Sequence, residues 1–408
     1  MIDIKEKKDC CGCGACVQRC PKSCISMRED NEGFLYLEVN KEMCIDCGLC
    51  EKVCPVINQS EERKPMAVYA AKHKDERIRL ASSSGGVFTA IAESVIDEGG
   101  VVFGVRFDKD WSVIHGYTET KEGLAAFRGS KYVQSRIGES YKDAEAFLRT
   151  GRKVLFSGTP CQIAGLKRFL RKEYDNLLTV DFICHGVPSP GVWREYLKEE
   201  TARQCGGKNS VLSHPKDNLG DVRIENISFR NKRLGWKKFS FALTLSTTNG
   251  SGAKNTVLLS EPLNKNIYLR GFLADLYLRP SCHACPAKKF KSGSDVTIGD
   301  FWGVQNVMPE IDDDKGVSVV YLLKKQKNLF EKGLFLRELR SYRQRSLYYS
   351  SKNSSWRKLF FYSSKSVFIK VQILEIPVVI FRKVINLIYK IAKYSGLVHL
   401  YKQIKMLA

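Results

Sequence analysis

The feature that most constrains this chain is a cysteine pattern written twice. Cys10, Cys13, Cys16 and Cys20 precede Pro21 as C-x2-C-x2-C-x3-C-P, and Cys44, Cys47, Cys50 and Cys54 precede Pro55 at the same spacing. Three thiolates at this spacing wrap one cubane on a tight glycine-containing loop, while the fourth leaves at a helix start and reaches the other cluster. The partition is therefore crossed. One 4Fe–4S cluster takes Cys10, Cys13, Cys16 and Cys54, and the other takes Cys44, Cys47, Cys50 and Cys20. Zinc fits less well, because zinc motifs usually pair two C-x2-C dyads and need no third cysteine two residues on. Cys11 and Cys24 fall outside the repeat and read as bystanders.

Over residues 1–60 the chain resembles a bacterial-type two-cluster ferredoxin. Such domains carry electrons and do no chemistry on substrates, so the rest of the protein must supply the chemistry. Fifteen cysteines are too many for simple thiol packing, and the opening MIDIKEKKDC lacks the basic-then-apolar pattern of a secretory signal. Reduced thiols, metal ligation and a cytoplasmic location are expected. With 43% hydrophobic and 27% charged residues the chain reads as globular, and disorder is a poor account of the whole. No run approaches the ~18 consecutive apolar residues of a spanning helix.

A polar run from Asn58 to Pro65 closes the first segment. From there to about residue 345, short apolar runs alternate with helical patterns, which predicts an α/β fold, α+β overall. Strands are expected at 68–72, 101–107, 153–157 and 178–183. Helices are expected at 84–97, capped by serine, at 143–149 and at 162–172. Residues 205–260 read as an antiparallel insertion with a hairpin at Asn249-Gly250.

A second cysteine set is dispersed: Cys161, Cys184, Cys282 and Cys285. The runs before Cys161 and Cys184 are of the type buried in parallel sheets, so both thiols are expected at the carboxyl edge of the strands, where open α/β sheets bind ligands. Four thiols are the complement of one further 4Fe–4S cluster. The alternative is that Cys161 and Cys184 are small buried apolar residues and the Cys282/Cys285 dyad holds zinc or nothing. His185 and His283 adjoin these cysteines and read as loop residues. Ser82-Ser83-Ser84-Gly85-Gly86 opens a helix and offers backbone N–H groups to a pyrophosphate, with a plain helix cap as the alternative. In the segment 129–135, Lys131 suits a flavin phosphate or an anionic reduced ring, and Tyr132 a stacking partner.

The segments 156–162, 181–190, 279–286 and 295–303 occur in order and resemble the motifs of the family of coenzyme F420 hydrogenase/dehydrogenase beta subunits. The resemblance covers about residues 65–345. It implies FAD and an iron–sulfur cluster in that region, with Cys161, Cys184, Cys282 and Cys285 as the cluster ligands and Ser83, Ser84, Gly85, Gly86, Lys131 and Tyr132 near the flavin. It also implies a flavin-dependent oxidoreductase that passes electrons between clusters and FAD, with hydride exchange to a two-electron acceptor such as F420 and a redox partner protein or low-potential carrier. No catalytic side chain is assigned. A competing reading is a non-catalytic electron-transfer subunit or membrane-associated adaptor that feeds a separate enzyme, in a setting such as surface-polysaccharide biosynthesis. Asp295, Asp300, Arg230, Lys232 and Trp236 lie in family-like segments without a derived role.

The net charge of +22 is uneven. Residues 341–408 hold 13 Lys and Arg against one acid, Glu375. Across 378–393 the basic and apolar residues fall on opposite helical faces, and Trp356, Phe360, Phe361 and Tyr362 lie upstream. Residues 346–408 therefore read as a basic amphipathic tail. It suits either peripheral contact with an anionic membrane at its inner face or packing on protein. No nucleic-acid motif accompanies the charge.

Overall fold

The computed structural model describes residues 1–205, 222–248, 254–325 and 333–339. The basic tail and the Asn249-Gly250 turn lie outside these residues.

The first segment is built from two short helix–strand units: α1 (Ala15–Arg19), β1 (Ile25–Glu29), β2 (Leu35–Val39) and α2 (Leu49–Lys52). β1 and β2 pair antiparallel, with Ile25 opposite Val39. The duplicated motif bends the same way twice, because Gly14 and Gly48 precede the two helices in the left-handed conformation, at φ 70° and 68°. The third cysteine of each motif, Cys16 or Cys50, lies within the helix. The fourth was expected at a helix start. Cys20 instead follows the last residue of α1, and Cys54 lies beyond α2.

An eight-stranded mixed sheet follows, confirming the α/β class. Its strands and helices come in the order β3 (Ala67–His73), α3 (Glu76–Ala81), α4 (Val87–Asp97), β4 (Val101–Phe107), β5 (Val113–Thr118), α5 (Ser140–Arg149), β6 (Val154–Ser157), α6 (Pro160–Leu170), β7 (Leu177–Phe182) and α7 (Pro190–Cys205). After α7 come β8 (Val222–Asn231), β9 (Ser240–Thr248), β10 (Lys254–Pro262), α8 (Ile267–Leu273), β11 (Val296–Asp300), β12 (Ser318–Leu322) and β13 (Leu334–Glu338). In the large sheet the strand order is β13-β3-β12-β11-β7-β6-β4-β5. The central run β11-β7-β6-β4 is parallel, while β5, β12 and β13 run against their neighbours. β8, β9 and β10 form a separate antiparallel sheet, as the composition of the insertion predicts.

β4, β6 and β7 are rich in apolar residues because both faces are covered. Val102, Leu155 and Leu178 pack under α4 with Ile91 and Val95. Val101, Phe103, Val154, Phe156 and Leu177 pack on the opposite face with Tyr141, Ile163 and Leu166, in the same core as Cys13, Cys16 and Cys50. The cysteine-rich segment thus shares a hydrophobic core with α5 and α6. Among the described residues no helix is long and apolar enough to cross a membrane.

The helix expected over 84–97 starts later, at Val87, and its cap is Gly86 at φ 85° rather than a serine. The helix expected at 162 starts earlier, at Pro160, where the Thr159 backbone N–H donates to Gln162 Oε1 at 2.9 Å. The start of α7 is tied to the small sheet by Trp193, 1% exposed, whose ring lies 4.9 Å from Phe229 and 5.1 Å from Tyr268 and whose Nε1 donates to Trp111 O. Replacing Trp193 by alanine is expected to cost about 3–5 kcal/mol, read as a lowered unfolding midpoint in denaturant, while phenylalanine keeps most of the stability.

Candidate iron–sulfur and flavin site

The eight repeat cysteines separate into two groups. Cys20, Cys44, Cys47 and Cys50 line one cavity, with Cys24 beside them. Burial, followed by the charges of Cys10 and Cys54, pushes the Cys16 thiol up to about 12. Burial also raises Cys54, with the charges of Cys10 and Cys50 behind it, and Cys13 feels both Cys16 and Cys54. Cys10, Cys13, Cys16 and Cys54 thus lie near one another, with Cys50 of the other group also in range. Backbone N–H groups point at the sulfurs: Gly12 donates to Cys10 Sγ, Asp46 to Cys44 Sγ and Ile2 to Cys50 Sγ, each at 3.4 Å. Thiolates in a cluster accept such bonds, and buried thiols with raised pKa values ionise when iron supplies the positive charge.

The dispersed cysteines also come together. Cys161 is the second residue of α6, and Cys184 follows β7 by two positions, so both leave the carboxyl edge of adjacent parallel strands. Cys282 lies in a one-turn helix, Pro280–Ala284, with Cys285 just beyond. Burial raises Cys184 well above an ordinary thiol, and the charges of Cys282, Cys161 and Cys285 add to it. Burial pushes Cys282 up to about 12 and Cys285 up to about 11, Cys161 contributing to both. Val187 N donates to Cys282 Sγ at 3.4 Å, and Thr159 Oγ1 lies 3.2 Å from Cys161 Sγ. Among the described residues no three His, Cys, Asp or Glu side chains close around a point tightly enough for a single ion.

Cys11 and Cys24 lie beside the two cysteine groups. The Cys24 and Cys20 sulfurs are 3.4 Å apart. Cys13 pushes the buried Cys11 thiol well up, Cys161 draws it down and burial adds to the rise, so both cysteines neighbour it. A side chain on Gly165 would meet Cys13 Cβ and Sγ at 2.9 Å. Gly165 is one helical turn past Cys161 on the same face of α6. The sequence marked Cys11 as a leftover because contacts with a residue 150 positions away leave no local signal.

The flavin-related positions surround the same sheet edge. β3 runs in the direction of β11, so the turn that follows it shares an edge with Cys161 and Cys184. Ser83 Oγ accepts from Ser130 N at 2.6 Å and Ser130 Oγ at 2.9 Å, which joins the serine turn to the loop of Lys131. Ser84 Oγ donates to Val317 O, and Gly85 N donates to Ser318 Oγ, both at 3.0 Å. These two groups are spent on Val317 and on Ser318 at the start of β12. Gly85 is glycine because a side chain would strike Ala71 O at 2.4 Å, a packing reason in place of the expected approach to a ligand. The Tyr132 ring stacks on Phe272, centroids 4.7 Å apart. Lys131 donates to Arg128 O at 3.0 Å and Gly129 O at 3.2 Å, and burial pushes its ammonium down to about 7. His185 pairs with Asp275 at 2.8 Å.

Residues without a derived role find one here. Lys232 Nζ donates to Arg79 O, Ser84 O and Lys315 O, at 2.8, 2.7 and 2.7 Å, holding the serine turn in place. Burial first, then the charges of Arg230 and Arg79, pushes Lys232 down to about 7. Arg230 forks onto Asp300, which also accepts from Trp236 Nε1. These cations are held within the protein, Arg230 by Asp300, Arg79 by Asp313 and Lys232 by three carbonyls. Asp295 accepts from Thr179 N and Oγ1, each at 2.7 Å, and ties β7 to the start of β11.

Asp181, in β7, is raised to about 6 by burial, against the opposing bonds from Ser292, Thr297 and Ser294. A carboxyl whose folded pKa exceeds its unfolded value contributes most at low pH and loses that contribution as pH rises through the folded pKa. The wild type should therefore lose about 1 kcal/mol relative to Asp181→Asn between pH 5 and pH 7, measured as the difference in unfolding free energy.

A sequence model of the C-terminal part of the coenzyme F420 hydrogenase/dehydrogenase beta subunit matches residues 151–334, and its N-terminal counterpart matches 68–141. A 4Fe–4S dicluster domain matches residues 9–58. One component of the F420H2 dehydrogenase of Methanosarcina mazei is 26% identical over 198 residues, covering 45% of this chain and 55% of that protein. The chain thus spans about half the length of that relative. A ferredoxin of Mycolicibacterium smegmatis is 40% identical over 87 residues, 21% of this chain and 71% of the ferredoxin. A chain of the F420-reducing nickel–iron hydrogenase complex from Methanosarcina barkeri is 18% identical with a TM-score of 0.42, over 68% of this chain and 83% of that one.

Proposed function

This chain belongs to the family of coenzyme F420 hydrogenase/dehydrogenase beta subunits, with a 4Fe–4S dicluster ferredoxin domain ahead of the family's two halves, and from that premise we propose a three-cluster flavoprotein oxidoreductase. Its electron path runs from the Cys20/Cys44/Cys47/Cys50 set, through the Cys10/Cys13/Cys16/Cys54 set, to the Cys161/Cys184/Cys282/Cys285 set and a flavin beside it. The observation that carries the reading is the position of Cys11 and Gly165. Gly165 puts Cys13 of one set against α6, whose second residue is Cys161 of another, and Cys11 lies buried beside them.

When bound, FAD supplies the exchange between single electrons and hydride, and the clusters supply one-electron conduction. The chain's own residues do the rest. Cys47 is exposed while Cys10, Cys13, Cys16 and Cys50 are buried, so a redox partner protein or low-potential carrier meets the outer set first. At the sheet edge Lys131 and Ser83 are the polar groups offered to the flavin, with Lys232 holding the turn and Arg230 and Asp300 fixed behind it. Ser84, Gly85 and Tyr132 frame this site and are engaged with the protein. The acceptor is a hydride carrier of the deazaflavin type, F420, as the family name indicates.

Holoprotein prepared without oxygen, with FAD, should be reduced by F420H2, with bleaching of both flavin and cluster absorbance. In Cys184→Ala the flavin should still bleach while the ferredoxin clusters stay oxidised. A protein that binds flavin and clusters yet exchanges no electrons with F420 in either direction contradicts the F420 assignment. Unimpaired cluster reduction in Cys184→Ala contradicts the path.

A further inference from the structure

Arg279 is fully buried, at 0% exposure, and 269 positions separate it from the backbone it grips. Its Nε donates to Cys10 O at 2.8 Å, Nη1 to Gln134 Oε1 at 2.9 Å and Nη2 to Leu35 O at 2.8 Å, and Nη2 lies 3.7 Å from Cys10 Sγ. The guanidinium carbon is 4.2 Å from the Tyr36 ring centroid and 5.4 Å from that of Phe34. Gly12 leaves the room, since a side chain there would meet the guanidinium at 2.8 Å. The backbone of the same residue shapes the other assembly. Arg279 N donates to Val187 O, and Cys282 N donates to Arg279 O, each at 2.9 Å.

A buried guanidinium is always charged, and burying an uncompensated charge is costly. Among the described residues no carboxylate pairs with Arg279; its partners are carbonyls, an amide, aromatic faces and a thiol. The anions that remain are cysteine thiolates. Arg279 adjoins Cys10 of one set, and its charge also reaches Cys161 and Cys282 of the other. A cluster gains negative charge on reduction, and its potential follows local charge and hydrogen bonds to sulfur.

We propose that Arg279 is the shared buried counter-charge of the Cys10/Cys13/Cys16/Cys54 and Cys161/Cys184/Cys282/Cys285 clusters, holding both potentials up so that electrons pass between them. The inference rests on the three-cluster reading above. Arg279 acts as a positioning and tuning residue and touches no substrate.

The test is an anaerobic redox titration of full-length holoprotein followed by electron paramagnetic resonance, with iron measured on the same samples. Signals of the outer cluster are identified by their loss in a Cys44→Ala/Cys47→Ala protein. Arg279→Gln should lower two of the three midpoint potentials and leave the outer cluster unmoved, and Arg279→Lys should lie between the glutamine variant and wild type. Where the glutamine variant carries less iron, Gln134→Glu, which places a carboxylate on the guanidinium, should lower the same two potentials. Full-iron variants with unmoved potentials, or with all three shifted alike, overturn the role of Arg279 alone. About eight irons in the wild type overturns both this inference and the three-cluster reading, because the guanidinium then has no second cluster to face.

Discussion

Everything in this protein depends on how closely the cysteine-rich segment seats on α6. The contact of Cys13 with Gly165 admits no side chain, and Gln18 Oε1 accepts from Tyr141 N at 3.1 Å and Lys142 N at 3.2 Å beside it. Arg19 reaches Glu145, and Gly191 N donates to Glu32 O at 3.0 Å. The Gln18 and Arg19 bonds fix the first helix of the ferredoxin segment on α5, Gly165 seats it on α6, and the Glu32 bond ties the β1–β2 turn to α7. A ferredoxin on a flexible tether would deliver electrons by collision. Here the donor set is part of the same hydrophobic core as the sheet.

The sheet explains why chemistry gathers where it does. Strands buried on both faces can expose functional groups only at their ends, and the parallel run sends the ends of β4, β6, β7 and β11 to one edge. Cys161, Cys184, Asp300 and the serine turn after β3 all arrive there. The antiparallel insertion closes over this edge through Arg230, Lys232 and Trp236.

Much of this was legible in the sequence. The strand at 101–107 is found at those residues because Val101, Val102 and Phe103 are apolar on both faces, which leaves no other place for them. The duplicated motif announced its clusters through spacing, and the runs before Cys161 and Cys184 announced the sheet edge. What stayed hidden depends on distant partners. The serines before α4 have the composition of a cap, yet Val317, Ser318 and Ser130 claim them, and the helix starts at Val87. Arg279 reads locally as one more basic residue before a proline. Only the fold brings Cys10, Leu35 and Gln134 to it.

The most direct test of the account is the iron, acid-labile sulfide and flavin content per chain of protein purified without oxygen. Three clusters and one FAD predict about twelve irons, about twelve sulfides and about one flavin. About eight irons with no flavin would contradict it, leaving a two-cluster ferredoxin carried on a sheet that moves no hydride.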